Sequence, residues 1–305
     1  MKKALILGGT GFIGSELAIL LSNRNYEVHI LTQGLTSKIK VNNINVFTII
    51  YNQENFLKIL NRNIYSCIYI LNGNPHPLNS YKKPYLDIDL LLMPLLSLLE
   101  SLRFIKYKGS VWFASSVAVY GSNSGMLNED LISSPISPYG IAKVTGENYC
   151  KYYVKEYGLN IGILRLFSTY GPNLKRQVIF DIFSKIAKNP IELNLLSKEK
   201  DSRDMSYVLD VARAIFHLNS VIVPKADVYN IGSGKEYLII DIAKIIAESL
   251  SFKGKINFAA NSQSYDGDSW YANNNKLIKL GFNYKYDLFQ GLNETINEWK
   301  KNLKL

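Results

Sequence analysis

Short apolar runs alternate with amphipathic stretches through the first two thirds of the chain. Residues 5–7, 28–31, 46–50, 67–71, 111–114 and 161–166 are short, continuous and rich in Val, Ile and Leu. That pattern predicts strands buried on both faces. Between them, residues 12–24, 55–60, part of 85–104 and about 138–157 carry apolar positions at helical spacing. Residues 210–218 and 228–231 predict one further helix and strand. Strand and helix in strict alternation predict an α/β fold, a doubly wound parallel sheet with helices on both faces.

Two stretches break the alternation. Residues 172–204 and 237–305 are less periodic and rich in Asn, Lys and Tyr. They predict a smaller, discontinuous substrate domain, with residues 1–171 and 205–236 forming the sheet domain. The small domain is expected over the C-terminal edge of the sheet, where open α/β sheets bind ligands.

Composition narrows the classes. With 305 residues, 47% of them hydrophobic, the chain can bury a large core. No apolar run reaches the roughly 18–20 residues of a bilayer span. Residues 90–99 come nearest, but Pro94 and Ser97 interrupt them and Glu100 follows. The net charge of +10 is dispersed, without a block of like charges. It predicts attraction to anionic small molecules rather than a nucleic-acid surface. Cys67 and Cys150 make no disulfide framework, and the sequence shows no metal-ligand cluster, so a reducing cytoplasm is expected. His29 and His217 read as structural, and His76 as an exposed loop residue between prolines.

Candidate chemistry begins at Gly8-Gly9-Thr10-Gly11-Phe12-Ile13-Gly14, between the first strand and the first helix. Gly8 permits a tight turn, Gly11 lets backbone approach a pyrophosphate, and Gly14 lets helix pack closely on strand. The helix N-terminus then offers unpaired N–H groups and a positive dipole end to the phosphates. The second strand ends at Thr32-Gln33, where NAD enzymes usually carry an acid for the ribose hydroxyl. Without that acid a 2′-phosphate is not repelled, and Thr32, Gln33, Lys38 and Lys40 are candidates to hold one. The cofactor expected is NADP or NAD, with NADP favoured.

Further on, Ser115-Ser116 closes the fifth apolar run, and Tyr139 and Lys143 stand one helical turn apart on a predicted helix. A Tyr–Lys pair alone recurs by chance. After a dinucleotide turn and a strand-end serine it describes hydride transfer between a dinucleotide and a secondary alcohol or ketone. Tyr139 is the candidate proton donor. A free tyrosine titrates near ~10, and the Lys143 charge on the same helical face lowers that. Ser116 would hydrogen-bond the reacting oxygen.

These residues resemble the extended short-chain dehydrogenase/reductase family, in its nucleotide-sugar epimerase, dehydratase and reductase branch. The resemblance covers nearly the whole chain. It rests also on Val119-Tyr120-Gly121, on Arg165 through Pro172, on Arg203 through Val211, on Tyr229-Asn230-Ile231-Gly232-Ser233-Gly234, and on Leu280-Gly281-Phe282. It implies a Rossmann-type sheet domain, bound NAD(H) or NADP(H), a nucleoside-diphosphate sugar as substrate, and a homodimer formed through the helix bearing Tyr139 and the helix within 85–104. It adds Phe12, Ile13, Leu71, Ser115 and Phe167 to the cofactor contacts, beside Tyr139 and Lys143. For the substrate it implies Ser116, Ser168, Val178 and Arg203, the last as a bidentate partner for the diphosphate. Family members commonly supply sugars for polysaccharides.

Departures refine the expectation. Dehydratases and decarboxylases of this branch carry an acid one or two places after the first catalytic hydroxyl. Val117 and Ala118 stand there, and neither can protonate a leaving hydroxyl. The family's nucleotide-contacting Asn is replaced by Ser168. Its adenine-contacting Asp is missing around residues 50–53, and its diphosphate Arg is missing near residues 265–268, where Lys175 and Arg176 are candidates to compensate. A looser grip on adenosine suits an enzyme that exchanges cofactor each turnover. The expected activity is therefore reduction of a 4-keto sugar at C4, with an NAD-dependent 4-epimerase as the alternative. A non-enzymatic dinucleotide-binding protein would not need Ser116, Tyr139 and Lys143 together.

Overall fold

The apolar runs become adjacent strands of one sheet in the computed structural model, which describes residues 1–34, 41–74, 77–198, 200–258 and 269–303. The strands are β1 (Lys2–Leu7), β2 (Tyr26–Thr32), β3 (Ile44–Thr48), β4 (Cys67–Ile70), β5 (Ser110–Ser116), β6 (Asn160–Leu166) and β7 (Val228–Ile231). Their order is β7-β6-β5-β4-β1-β2-β3, and every pairing is parallel. Chain order runs outward in both directions from the β1–β4 neighbours. The connections there leave on opposite faces and open a crevice at the strand ends, the topological switch point of a Rossmann-type sheet.

Alternation along each strand sends side chains to two cores. Leu5 and Leu7 join one core with helices α2 (Gln53–Arg62), α3 (Met93–Phe104) and α4 (Pro138–Tyr157). Ala4 and Ile6 join the other with α1 (Phe12–Ser22) and a later helix, Val208–Val221. Local signals set the ends of α4. The Ser137 hydroxyl accepts from Gly140 N at 3.0 Å, Pro138 occupies the first turn, and Gly158 (φ 64°) takes the left-handed position that stops the helix. The cap is worth about 1 kcal/mol.

Two departures from the sequence pattern have a physical cause in the structure. The third strand is Ile44–Thr48, not 46–50, because Ile44 pairs with Val28 and Thr48 with Thr32, so the ladder ends where β2 ends. Ile50 lies beyond it and is exposed. The apolar stretch 85–104 is not one regular helix. A helical turn at Tyr85–Asp87 leads into a π-helical run, Ile88–Leu92, before α3 begins. Pro94 supplies the reason: it has no N–H for the Leu90 carbonyl, and Asn72 Nδ2 donates to that carbonyl at 2.8 Å instead.

A third core gathers α5 (Gln177–Lys188), α7 (Ile239–Ser249) and α8 (Leu288–Leu303) around the chain after β6, with Leu209 of α6 (the Val208–Val221 helix already placed) packed against it. A parallel strand pair, Glu192–Leu195 with Lys255–Phe258, closes it. Leu277 and Phe282 pack instead in the core beside α1. A small fourth cluster sits over the ends of β5 and β6. There the strand Gly125–Leu127 pairs with Trp270–Ala272, and the Trp270 and Phe167 rings meet at 5.6 Å.

Candidate active site

The crevice at the switch point is a cleft of about 460 Å³. One end of it is built by three glycines. Gly8 has φ 76°, and a Cβ there would stand 2.7 Å from Asn72 N. At Gly14 a Cβ would stand 2.3 Å from the Gly8 carbonyl oxygen, so no side chain fits between turn and helix. Gly11 is the N-cap of α1 and brings no side-chain acceptor, which leaves the N–H groups of the first turn facing the cleft. Phe12 and Ile13 line the wall beside them. The residues present fit a dinucleotide pyrophosphate.

At the far end of this cradle are Thr32, Gln33 and Tyr51. Tyr51 was not anticipated. Its hydroxyl donates to Leu31 O at 2.5 Å, and burial holds the phenol well above its ordinary titration range. Its ring stacks on Phe56 with centroids 5.6 Å apart. Next to it Asn52 caps α2 by accepting from Asn55 N at 2.9 Å. The segment that carries an adenine-contacting acid in the resembling family is thus a helix cap flanked by a buried ring. Lys38 and Lys40, His76 and residues 265–268 lie outside the described residues.

Ser116, Tyr139 and Lys143 face the same cleft as the glycine turn. Ser116 ends β5, and its Oγ accepts from Ala118 N at 3.2 Å, which leaves the hydroxyl hydrogen to donate. Lys143 is buried on α4 and donates to Ala114 O at 2.6 Å. Its ammonium lies 5.6 Å from the Tyr139 ring centroid and 5.3 Å from that of Phe113. Burial pulls Lys143 down to about 8, against the opposing pull of Asp87, Glu147 and Cys150.

Behind the trio a buried ion pair fixes the strand end to the helix. Arg165 gives Nη2 and Nε to the two Glu147 oxygens at 2.8 and 3.0 Å, and Ser115 Oγ donates to Glu147 Oε1 at 2.5 Å. The Arg165 guanidinium also lies over the Tyr120 ring at 4.7 Å. Ser115 faces the cleft as well, so its hydroxyl serves this network at the cofactor wall. The spacing of Glu147 four residues after Lys143 is a sequence signal for a shared helix face.

The remaining predicted contacts divide. Leu71, Phe167 and Ser168 line the cleft, together with Val117 and Ala118. Val178 instead packs against the core around α5. Arg203 is not on the cleft wall: its Nη1 donates to Ser202 O at 2.7 Å, and its guanidinium lies 5.2 Å over the ring of Trp270, which does line the cleft. The neighbouring Asp204 is occupied with Ser233, Gly234 and Ala272 backbone N–H groups at 2.7–3.0 Å. Arg176 reaches the cleft, turned in by the left-handed Gln177 (φ 66°) that follows it. Burial lowers its guanidinium, and the Tyr139 phenol acts on it in the opposite sense.

A tyrosine beside a buried lysine, on one cleft with a glycine turn at a helix N-terminus, is the arrangement of a short-chain dehydrogenase/reductase-type oxidoreductase. Residues 4–232 match the profile of the NAD dependent epimerase/dehydratase family, and the chain belongs to that family. It is 32% identical over 310 residues to a putative UDP-glucose 4-epimerase of Methanocaldococcus jannaschii, across 98% of each chain. Among solved structures it resembles UDP-glucose 4-epimerase of Thermotoga maritima with UDP-glucose (26% identity, TM-score 0.89, 99% of each chain). It is also similar to UDP-glucuronic acid 4-epimerase of Bacillus cereus in complex with UDP-glucuronic acid and NAD (25% identity, TM-score 0.88, covering 98% of this chain and 99% of that one).

Proposed function

We propose that this protein is an NAD-dependent 4-epimerase of a uridine-diphosphate sugar. The observation that carries the reading is the cleft: Ser116, Tyr139 and Lys143 share it with the glycine turn, and the two positions after Ser116 are Val117 and Ala118. Such a site can move a hydride and a proton and has no acid there to expel a hydroxyl. Whole-length likeness to 4-epimerases, and NAD in solved relatives, favour epimerisation over the 4-keto reduction and NADP preference expected from the sequence.

The chemistry follows from the side chains. Tyr139 accepts the proton of the C4 hydroxyl, and the Lys143 charge steadies the resulting phenolate. Ser116 donates a hydrogen bond to the same oxygen and holds it in line with Tyr139. A nicotinamide held in this cleft would supply a reversible hydride acceptor for C4. When the keto sugar has turned to present the other face of C4, Tyr139 gives its proton back to the C4 oxygen. Val117 and Ala118 leave the neighbouring hydroxyl unprotonated and therefore in place. Arg176, with Ser168 beside it, is our assignment for the diphosphate. The exposed apolar side chains on the outer faces of α3 and α4, Met93, Ile141, Tyr149 and Tyr152 among them, support a homodimer.

A reductase is the second reading, favoured by the neutral Gln33 at the ribose end of the cradle. Gentle denaturation of the purified protein, with mass analysis of any released dinucleotide, separates the two. Stoichiometric NAD, and interconversion of UDP-glucose and UDP-galactose without added cofactor, is expected. An empty protein, stabilised against heat by NADPH more than by NADH and inert toward both sugars, refutes the epimerase.

A further inference from the structure

Lys143 has two carboxylates acting on it, and they are not equivalent. Asp87 and Glu147 both favour its charged form, with the Cys150 thiol a lesser influence. Glu147 is committed elsewhere: Arg165 and Ser115 hold both of its oxygens. Asp87 is 1% exposed, and neither of its oxygens has a hydrogen-bond donor in bonding geometry among the described residues. A buried carboxylate left in that condition is costly and calls for a functional explanation.

The backbone explains how Asp87 comes to be inside. It ends the turn at Tyr85–Asp87, directly before the π-helical run that Pro94 imposes. Asp87 and Leu91 share the buried side of this segment, while Asp89, with the same charge, is exposed. Gly73 forms the floor between the segment and α4: a Cβ there would stand 3.7 Å from Lys143 Nζ and 3.7 Å from Leu91 Cδ1. Asn72 Oδ1 is also sealed from solvent without a donor among the described residues, and the Asn74 amide acts on Asp87 from the same loop. The groups acting on Lys143 are thus Tyr139, Glu147 and Cys150 on its own helix, the Ala114 carbonyl and Phe113 ring on β5, and Asp87 on the turn that precedes the π-helical run.

We propose that Asp87 is a positioning residue for Lys143: it keeps the ammonium charged inside the cleft and so sets the pH range over which Tyr139 exchanges its proton. The proposal rests on the reading of Tyr139 as the acid–base group. Burial penalises the Lys143 charge, and Arg165 already neutralises Glu147. Asp87, met by the neutral Asn74 amide rather than by an arginine, is the negative charge left to oppose the penalty. Without it Lys143 sheds its proton at lower pH, and Tyr139 loses the positive neighbour that makes its phenolate accessible.

The test is an NMR titration of the full-length protein labelled with [ε-13C]lysine, with and without NAD, the Lys143 signal being the one lost in Lys143→Gln. In Asp87→Asn the Lys143 midpoint is expected to fall by about 1–3 units, the range for loss of a close opposite charge. The alkaline limb of UDP-sugar turnover should fall with it, while Asp87→Glu restores both. Asn74→Asp, which adds a charge at the same place, should raise the midpoint and keeps the question open to measurement if Asp87→Asn does not fold. An unmoved Lys143 midpoint in these variants, with wild-type turnover intact, overturns the role of Asp87 alone. Full turnover by Tyr139→Phe overturns the acid–base reading beneath it, whatever the lysine does.

Discussion

Burying Lys143 costs stability, and that cost should be measurable through pH. Its ordinary value of 10.5 drops to about 8 in the folded protein, chiefly by burial. The difference of roughly 2.5 units corresponds to about 3 kcal/mol of penalty on the charged form. Below pH 8 folded and unfolded chains both hold the proton, and the penalty is fully present. Between pH 8 and 10.5 the unfolded chain holds it and the folded chain does not, so stability rises with pH. Above that window neither holds it and the penalty is gone. Urea unfolding of nucleotide-free wild type and Lys143→Met at intervals from pH 7 to 10 isolates the group, because the background of tyrosines and other lysines cancels in the difference. Wild type should gain on the variant by up to about 3 kcal/mol across that range. Parallel stability curves would falsify the assignment of a depressed lysine. Dinucleotide must be absent, since binding would add its own pH-dependent stabilisation.

Gly14→Ala places a Cβ 2.3 Å from the Gly8 carbonyl oxygen, a backbone atom that cannot step aside. Loss of the thermal shift given by NAD, with destabilisation of about 1–3 kcal/mol, is expected from calorimetry. Glu147→Gln leaves the buried Arg165 without its counter-charge, and chemical denaturation should show a loss of about 3–5 kcal/mol; a change under 1 kcal/mol would mean the pair is not sealed as described. Ile141→Asp sets a charge in the middle of the exposed face of α4. Sedimentation should then report a monomer where the parent is a dimer, and a parent that is already monomeric would remove the dimer from consideration.

Much of this architecture could be read from the sequence because parallel strands buried on both faces leave an unmistakable pattern. Residues 111–114 and 161–166 have only one period available, and both stand in the middle of the sheet. The edge was harder. Ile44 and Thr48 belong to β3 because of their partners on β2, and Ile50 looks like a strand residue only until the ladder ends. At the candidate site, Gly8, Gly14, Ser116, Tyr139 and Lys143 stood out in the sequence because backbone sterics and hydride chemistry restrict residue type and spacing together, and they line one cleft. Tyr51 was not, since an aromatic after an apolar run carries no mark of the cradle it will flank. Val178 and Arg203 show the complementary limit. A hydrophobic at the start of a helix and an arginine beside an aspartate each have several destinations, and tertiary packing sends one to the α5 core and the other onto Trp270.

The two buried charge systems behind the cleft differ in a way that separates scaffold from chemistry. Arg165 and Glu147 satisfy each other with two hydrogen bonds, and Ser115 adds a third. A fully bonded pair of this kind ties β6 to α4. Asp87 and Lys143 share a buried region differently: Lys143 donates to Ala114 O, and the oxygens of Asp87 are sealed from solvent. Such a loosely compensated pair is weaker support for the fold and more responsive to its surroundings. On the proposed epimerase reading, taking a proton from a sugar hydroxyl and giving it back calls for that responsiveness next to Tyr139, with the rigid pair one turn further along the helix.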